Sequence, residues 1–292
     1  MTGVTERACG PWVAATGGWD VARAGDTVTA VLPVRPTEPV FTGHYPGFPV
    51  FPGVCVIECV HRTALAAPPG RIEPALVAVR QARFLAPVRP GDELTITLAW
   101  SPAGEEWCCA AEVATARGVV ARMRLTYRET GEPAPPAAEP ERPVGGPAFG
   151  LDGIARLLPH RYPMLLLDRV TGLVPGVRLT ATKAVSGNEP WYAGGGPGFA
   201  YPPVLVVESW CQAAGVLTGW DDPARVLLLG SMTGVHLAGP VLPGDVVEHR
   251  VRMVTAAGGA AVFTGESIVA GRTVLSVRRL VVSMRDEGGE TP

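Results

Sequence analysis

One short stretch carries most of the groups that proton-transfer chemistry needs: Gly43-His44-Tyr45-Pro46-Gly47-Phe48-Pro49-Val50-Phe51-Pro52-Gly53-Val54-Cys55-Val56-Ile57-Glu58. His44 sits in a Pro/Gly loop, and an imidazole with an ordinary pKa near about 6.5 can take or give a proton at neutral pH. Pro52-Gly53 opens an apolar helical run. The first N–H groups of a helix have no intrahelical acceptor and form a small site for negative charge. Glu58 is the carboxylate of that run. A second carboxylate, Glu208, stands in the apolar run Val204 to Leu217, with Gln212 four residues on and so on the same helical face. A base, backbone donors and an acid are the groups that acid–base catalysis uses.

These groups need rigid elements around them. Thr27 to Val34 alternates as a strand does, and Val54 to about Ala67 has helical spacing that ends at Pro68-Pro69-Gly70. Ala75 to Arg83, Glu93 to Ala99, Trp107 to Ala116 and Val119 to Tyr127 read as successive antiparallel strands. Residues 1 to about 22 show no clear period and are left as a lead-in. From Thr130 to about Gly150 the chain is rich in Pro, Ala, Glu and Gly, which predicts a semi-extended linker.

The second half then repeats the first. Asn188-Glu189-Pro190 aligns with Thr37-Glu38-Pro39, the run around Glu208 with the run around Glu58, and Pro240-Val241-Leu242-Pro243-Gly244-Asp245 with Pro87-Val88-Arg89-Pro90-Gly91-Asp92. Strands Arg225 to Met232, Val246 to Val254, Ala260 to Val269 and Thr273 to Ser283 complete the second copy. Each copy is one long helix with about five or six strands, an α+β unit whose sheet must wrap the helix.

Composition removes several function classes. A net charge of -2 over 292 residues argues against non-specific nucleic-acid binding. No apolar run spans a membrane and residues 1–7 lack a signal-peptide core, so a cytoplasmic location is expected. The six cysteines form neither a CxxC pair nor a zinc spacing, and Cys55, Cys59 and Cys211 fall in apolar helical runs as small hydrophobes. Lys183 is the only lysine, so an acidic partner would have to be held by arginine.

The second half also carries Leu158-Pro159-His160-Arg161-Tyr162-Pro163 running into Met164-Leu165-Leu166-Leu167-Asp168-Arg169-Val170. With the Asn-Glu-Pro, Pro-Gly-Asp and Glu-x-x-x-Gln patterns, the chain resembles the 3-hydroxyacyl-ACP dehydratases of bacterial fatty-acid synthesis, which have the hotdog fold. The match covers most of 153–285, and in the first half about Glu38 to Tyr127, where the Leu-Pro-His-Arg-Tyr-Pro segment is missing. The resemblance implies a tandem (double) hotdog, each half an antiparallel sheet wrapped around a central helix. The expected division is a His-bearing half at 1–130, a linker at 131–150, a Glu/Gln-bearing half at 151–286 and a tail at 287–292.

In that family each site takes its histidine from one subunit and its carboxylate from the other. Two fused copies therefore offer two sites. One pairs His44 with Glu208, supported by Gln212, and the resemblance gives the Gly53 N–H the thioester oxygen. The other pairs Glu58 with Gly195, which has no side chain to carry a proton. Arg62 replaces glutamine beside Glu58, and Pro202-Pro203 stands where the first half has Pro52-Gly53, in a loop one residue shorter. That second site is read as dead and Glu58 as structural.

The implied activity is dehydration of a 3-hydroxyacyl thioester on an acyl carrier protein or coenzyme A, without metal or other cofactor, in a polyketide or specialised-lipid pathway. The fused pair would work as a monomer or homodimer. His44 would be the base, and burial is expected to raise the pKa of Glu208 and ready it as an acid. His160 and Tyr162 are candidate substrate contacts, equally readable as loop supports. Arg80, Arg83, Arg89 and Arg161 are candidate carrier contacts or solvated charges. His61, His236 and His249 have no motif around them and read as surface or cross-strand residues. A hotdog thioesterase and an inactive acyl-binding subunit are the rival readings.

Overall fold

The computed structural model describes residues 20–70, 72–129, 145–192, 199–220 and 225–286. The first half contains β1 (Asp20–Ala24), β2 (Thr27–Pro33), α1 (Gly53–Ala66), β3 (Pro74–Phe84), β4 (Glu93–Ala103), β5 (Glu106–Thr115) and β6 (Gly118–Glu129). The second contains β7 (Phe149–Gly150), α2 (Leu151–Leu157), β8 (Arg169–Val174), β9 (Arg178–Ala184), α3 (Pro203–Gly219), β10 (Arg225–Leu237), β11 (Val246–Ala257), β12 (Ala260–Val269) and β13 (Arg272–Asp286). The lead-in thus holds a strand, β1, and two elements precede β8, none of which periodicity had marked. Of the expected linker, residues 131–144 lie outside the described residues, as does the tail at 287–292, while Phe149–Gly150 already pair with β8.

Among the described residues, thirteen strands join one antiparallel sheet in the order β1-β2-β4-β5-β6-β3-β10-β13-β12-β11-β9-β8-β7. The halves meet where β3 pairs β10, from Ser231 opposite Arg83 to His236 opposite Ala78. Each half curls around its own helix because its strands are apolar on one face only. In β4, Leu94, Ile96, Leu98 and Trp100 are buried while the residues between them are exposed, the period-two pattern of a strand with one face on a core. α3 is buried along nearly its whole length, and each fully covered Val or Leu contributes about 1.5–3 kcal/mol to holding it there. α1 and α3 touch each other across the junction of the halves.

The internal repeat is visible bond by bond. The Pro-Gly-Asp turns place Gly91 and Gly244 at φ of 89° and 99°, a region that favours glycine. Asp92 and Asp245 each accept the N–H three residues earlier, from Arg89 and Leu242. The Phe51 N–H donates to the Val88 carbonyl, and its counterpart Tyr201 donates to Val241. These paired bonds hang the loop before each helix on the turn that follows the sheet crossover.

The halves differ where the Leu158–Pro163 segment of the second lies on the His44 loop of the first. The Arg161 N–H donates to the Gly43 carbonyl at 2.9 Å, and a β-carbon on Gly43 would collide with the Arg161 carbonyl oxygen. Gly43→Ala is therefore expected to cost about 1–3 kcal/mol and to lower the melting temperature by several degrees. Gly47→Ala, where a β-carbon meets no atom within 4 Å, should change the melt little. Equal melts for the two variants would contradict this docking.

Candidate active site

His44 is buried in the loop between the short 3-10 turn Pro39–Thr42 and α1. Its Nδ1 lies 2.8 Å from the Val50 carbonyl oxygen. A carbonyl only accepts, so Nδ1 carries the hydrogen and Nε2 is left with its lone pair. The ring stacks on Tyr45, with centroids 4.1 Å apart, and the Tyr45 hydroxyl donates to the Leu227 carbonyl of β10 at 3.0 Å. Burial, with a smaller contribution from His160, lowers the His44 pKa from 6.5 to about 4, against the opposing pull of Glu208 and the Val50 carbonyl. At neutral pH it is an uncharged base.

Glu208 lies in the first half of α3, buried among valines and leucines. Its Oε1 accepts a hydrogen bond from the Gln212 amide at 3.0 Å and faces His160 Nε2 at 3.4 Å. The expected rise in its pKa does not occur. Burial does push it upward, but His160, His44 and the Gln212 amide together outweigh burial and hold the carboxyl below its ordinary value. Glu208 therefore rests as a carboxylate.

Gln212 does more than steady Glu208. Its carbonyl oxygen accepts the Leu166 N–H at 2.9 Å and its amide donates to the Met164 carbonyl at 2.7 Å. One side chain so pins the segment after Leu158–Pro163 to the helix that carries Glu208. This pinning brings His160 into the site, edge-on to His44 at 5.2 Å and to Tyr45 at 4.9 Å between ring centroids.

These side chains line a cavity of about 220 Å³ between the halves. Gly53, the first residue of α1, also faces it, and a β-carbon there would press on Leu229 and the Phe84 ring at 3.1 Å. Glycine leaves room for a ligand to approach the helix N-terminus, where N–H groups lack intrahelical acceptors. Of the sequence-derived set, His44, Gly53, His160, Glu208 and Gln212 converge. Tyr162 does not: it is 77 % exposed and absent from the cavity wall. Tyr45 and Cys211 line the cavity without having been singled out. Tyr45 adjoins His44 within the motif, which was the available signal, whereas Cys211 gave none beyond helical adjacency.

The other pseudo-equivalent position is built differently. Arg62 Nε contacts Glu58 Oε1 at 2.7 Å, the ion pair expected at i,i+4. α3 begins with Pro203, which has no N–H to offer. Gly195 lies outside the described residues. His236 is on the surface, and His61 bonds the Tyr127 hydroxyl at 3.1 Å. His249 is a cross-strand residue, one of the two readings offered for it: it lies opposite Ser267 and is fully buried between Ser209 and Ser267.

A large antiparallel sheet wrapped on two central helices, with a histidine from one half facing a carboxylate from the other, defines a double-hotdog protein of the dehydratase class. Solved structures show the same fold. The dehydratase domain of PpsC from Mycobacterium tuberculosis superposes with a TM-score of 0.64 at 17 % identity, covering 95 % of this chain and 100 % of that one. A trans-AT PKS dehydratase domain from Brevibacillus brevis gives 0.68 at 12 %, covering 96 % and 100 %. Family models match as ApeI dehydratase over residues 20–120 and as a FabA-like domain over 158–278.

Sequence relatives carry the assignment further. The 3-hydroxyacyl-(acyl-carrier-protein) dehydratase FabZ of Anaeromyxobacter sp. is 40 % identical over 138 residues, 45 % of this chain and 87 % of that protein. That of Geobacter metallireducens is 39 % identical over 129 residues, 42 % of this chain and 86 % of that protein. The chain belongs to the 3-hydroxyacyl-acyl-carrier-protein dehydratase family. Among the described residues no helix is long and apolar enough to cross a membrane.

Proposed function

We propose that the protein removes water from a 3-hydroxyacyl thioester held on an acyl carrier protein or coenzyme A, at one site built from His44 and Gly53 of the first half and Glu208 and Gln212 of the second. The observation that carries this reading is the meeting of an uncharged imidazole and a carboxylate, one from each half, on one cavity that also reaches a helix N-terminus. His44 Nε2 takes the proton from C2, and the negative charge that moves onto the thioester oxygen is met by the N–H of Gly53. The C3–O bond then breaks.

Because Glu208 rests ionised, the proton for the departing hydroxide is the one His44 has just received. Glu208 stabilises the transient imidazolium and hands that proton on, so one proton and one hydroxide leave as water. His160 is well placed to touch the 3-hydroxyl, and Tyr162 is not. The fused architecture shared with polyketide dehydratase domains supports a polyketide or specialised-lipid pathway. Incubation with a short 3-hydroxyacyl-acyl carrier protein should yield the 2-enoyl thioester, read by mass spectrometry as a loss of water from the intact carrier. Release of the free carrier thiol would instead establish a thioesterase, and an unchanged substrate across chain lengths would leave only acyl binding.

A further inference from the structure

Among the described residues, one nitrogen each from His44 and His160 and an oxygen of Glu208 lie within 4.8 Å of one another, all three side chains buried. We propose that this triad is also a divalent transition-metal site, taking Zn2+ as an inhibitor that competes with substrate. The inhibition, though not the binding, rests on the reading of His44 and Glu208 as the reacting pair.

Two imidazoles and a carboxylate with an open fourth position form a ligand set that zinc accepts. Bonds of about 2.0–2.2 Å in tetrahedral array set ligand atoms about 3.3–3.5 Å apart. His160 Nε2 and Glu208 Oε1 already stand 3.4 Å apart. His44 supplies the third side, with a ring nitrogen within 4.8 Å of both. The outer contacts are those that orient metal ligands: the Val50 carbonyl holds the hydrogen on Nδ1 of His44 and leaves Nε2 free, and the Gln212 amide fixes Glu208. His160 has a buried Nδ1 with no hydrogen-bond partner, so that ring is not committed to a structural role. The cavity supplies space for a fourth ligand, a water or the substrate oxygen. A cation seated there occupies the lone pair that would take the C2 proton.

Binding is read without turnover, on untagged protein titrated with Co2+, whose visible absorption reports tetrahedral nitrogen and oxygen coordination. One equivalent should bind and be displaced by one equivalent of Zn2+. His160→Ala and, separately, His44→Asn should each weaken Co2+ binding at least about 100-fold, with thermal melts showing that both variants fold. Absence of a tetrahedral spectrum in the wild-type chain, or the same spectrum in both variants, overturns the proposal. A chain that binds Co2+ but converts no 3-hydroxyacyl thioester overturns the proposed function and leaves this site standing. Dehydration that persists at saturating Zn2+ overturns the inhibition.

Discussion

His44→Ala is expected to lower the rate of dehydration by about 10²–10⁴-fold, the usual contribution of a positioned base, while leaving a folded protein that still binds acyl carrier. Neither the tyrosine nor the cysteine on the cavity wall can take its place as a base. Tyr45 is held protonated by burial and by the nearby Glu208 charge, and the Cys211 thiol is pushed up by burial and Glu208. The same assignment fixes a pH dependence. The base works when unprotonated, so kcat/KM should rise with pH through about 4 and then stay level to neutrality, because burial places the His44 pKa there. An acidic limb near about 6.5, the ordinary imidazole value, would show that the ring is solvated in the working enzyme. Undiminished dehydration in His44→Ala would remove it from the mechanism altogether.

The second large effect separates the two carboxylates that the internal repeat makes equivalent. Glu208→Gln keeps the size of the side chain and deletes the charge that steadies the imidazolium and relays its proton, so dehydration should fall by about 10²-fold or more. Glu58→Gln should leave kcat within about twofold of wild type. It should instead destabilise the chain by about 1–3 kcal/mol, because the buried 2.7 Å contact between Glu58 and Arg62 loses one of its charges. Parallel assays and melts check both. If Glu58→Gln lost as much activity as Glu208→Gln, the protein would have two working sites, and the ion pair with Arg62 would have to open during turnover.

Several features were legible before any coordinates. The period-two runs of β2, β4 and β5 are strong because one face of each strand packs on the core and the other meets solvent. The Pro-Gly-Asp turns announced themselves through residue types that only a tight turn requires. Less was visible where pattern gives way to pairing. β1 is five residues long and gains its place only by pairing with β2. β7 has two residues and is a strand only because β8 lies beside it.

The amino-acid sequence by itself determined the repeat and the unequal motifs of its halves, and on those motifs rests the proposal of His44 and Glu208 over Glu58 and Gly195. Those are matters of residue type at aligned positions, which need no coordinates. Only the tertiary structure decided which groups surround the carboxylate. His160 stands 48 residues before Glu208 and reaches it because Gln212 ties the intervening segment to α3. That contact, with the approach of His44 from the other half, sets the sign of the Glu208 shift. Burial alone would have raised its pKa; two neighbouring histidines and an amide lower it. The sign of an electrostatic balance depends on distances between groups remote in sequence, and those distances exist only once the sheet has wrapped both helices.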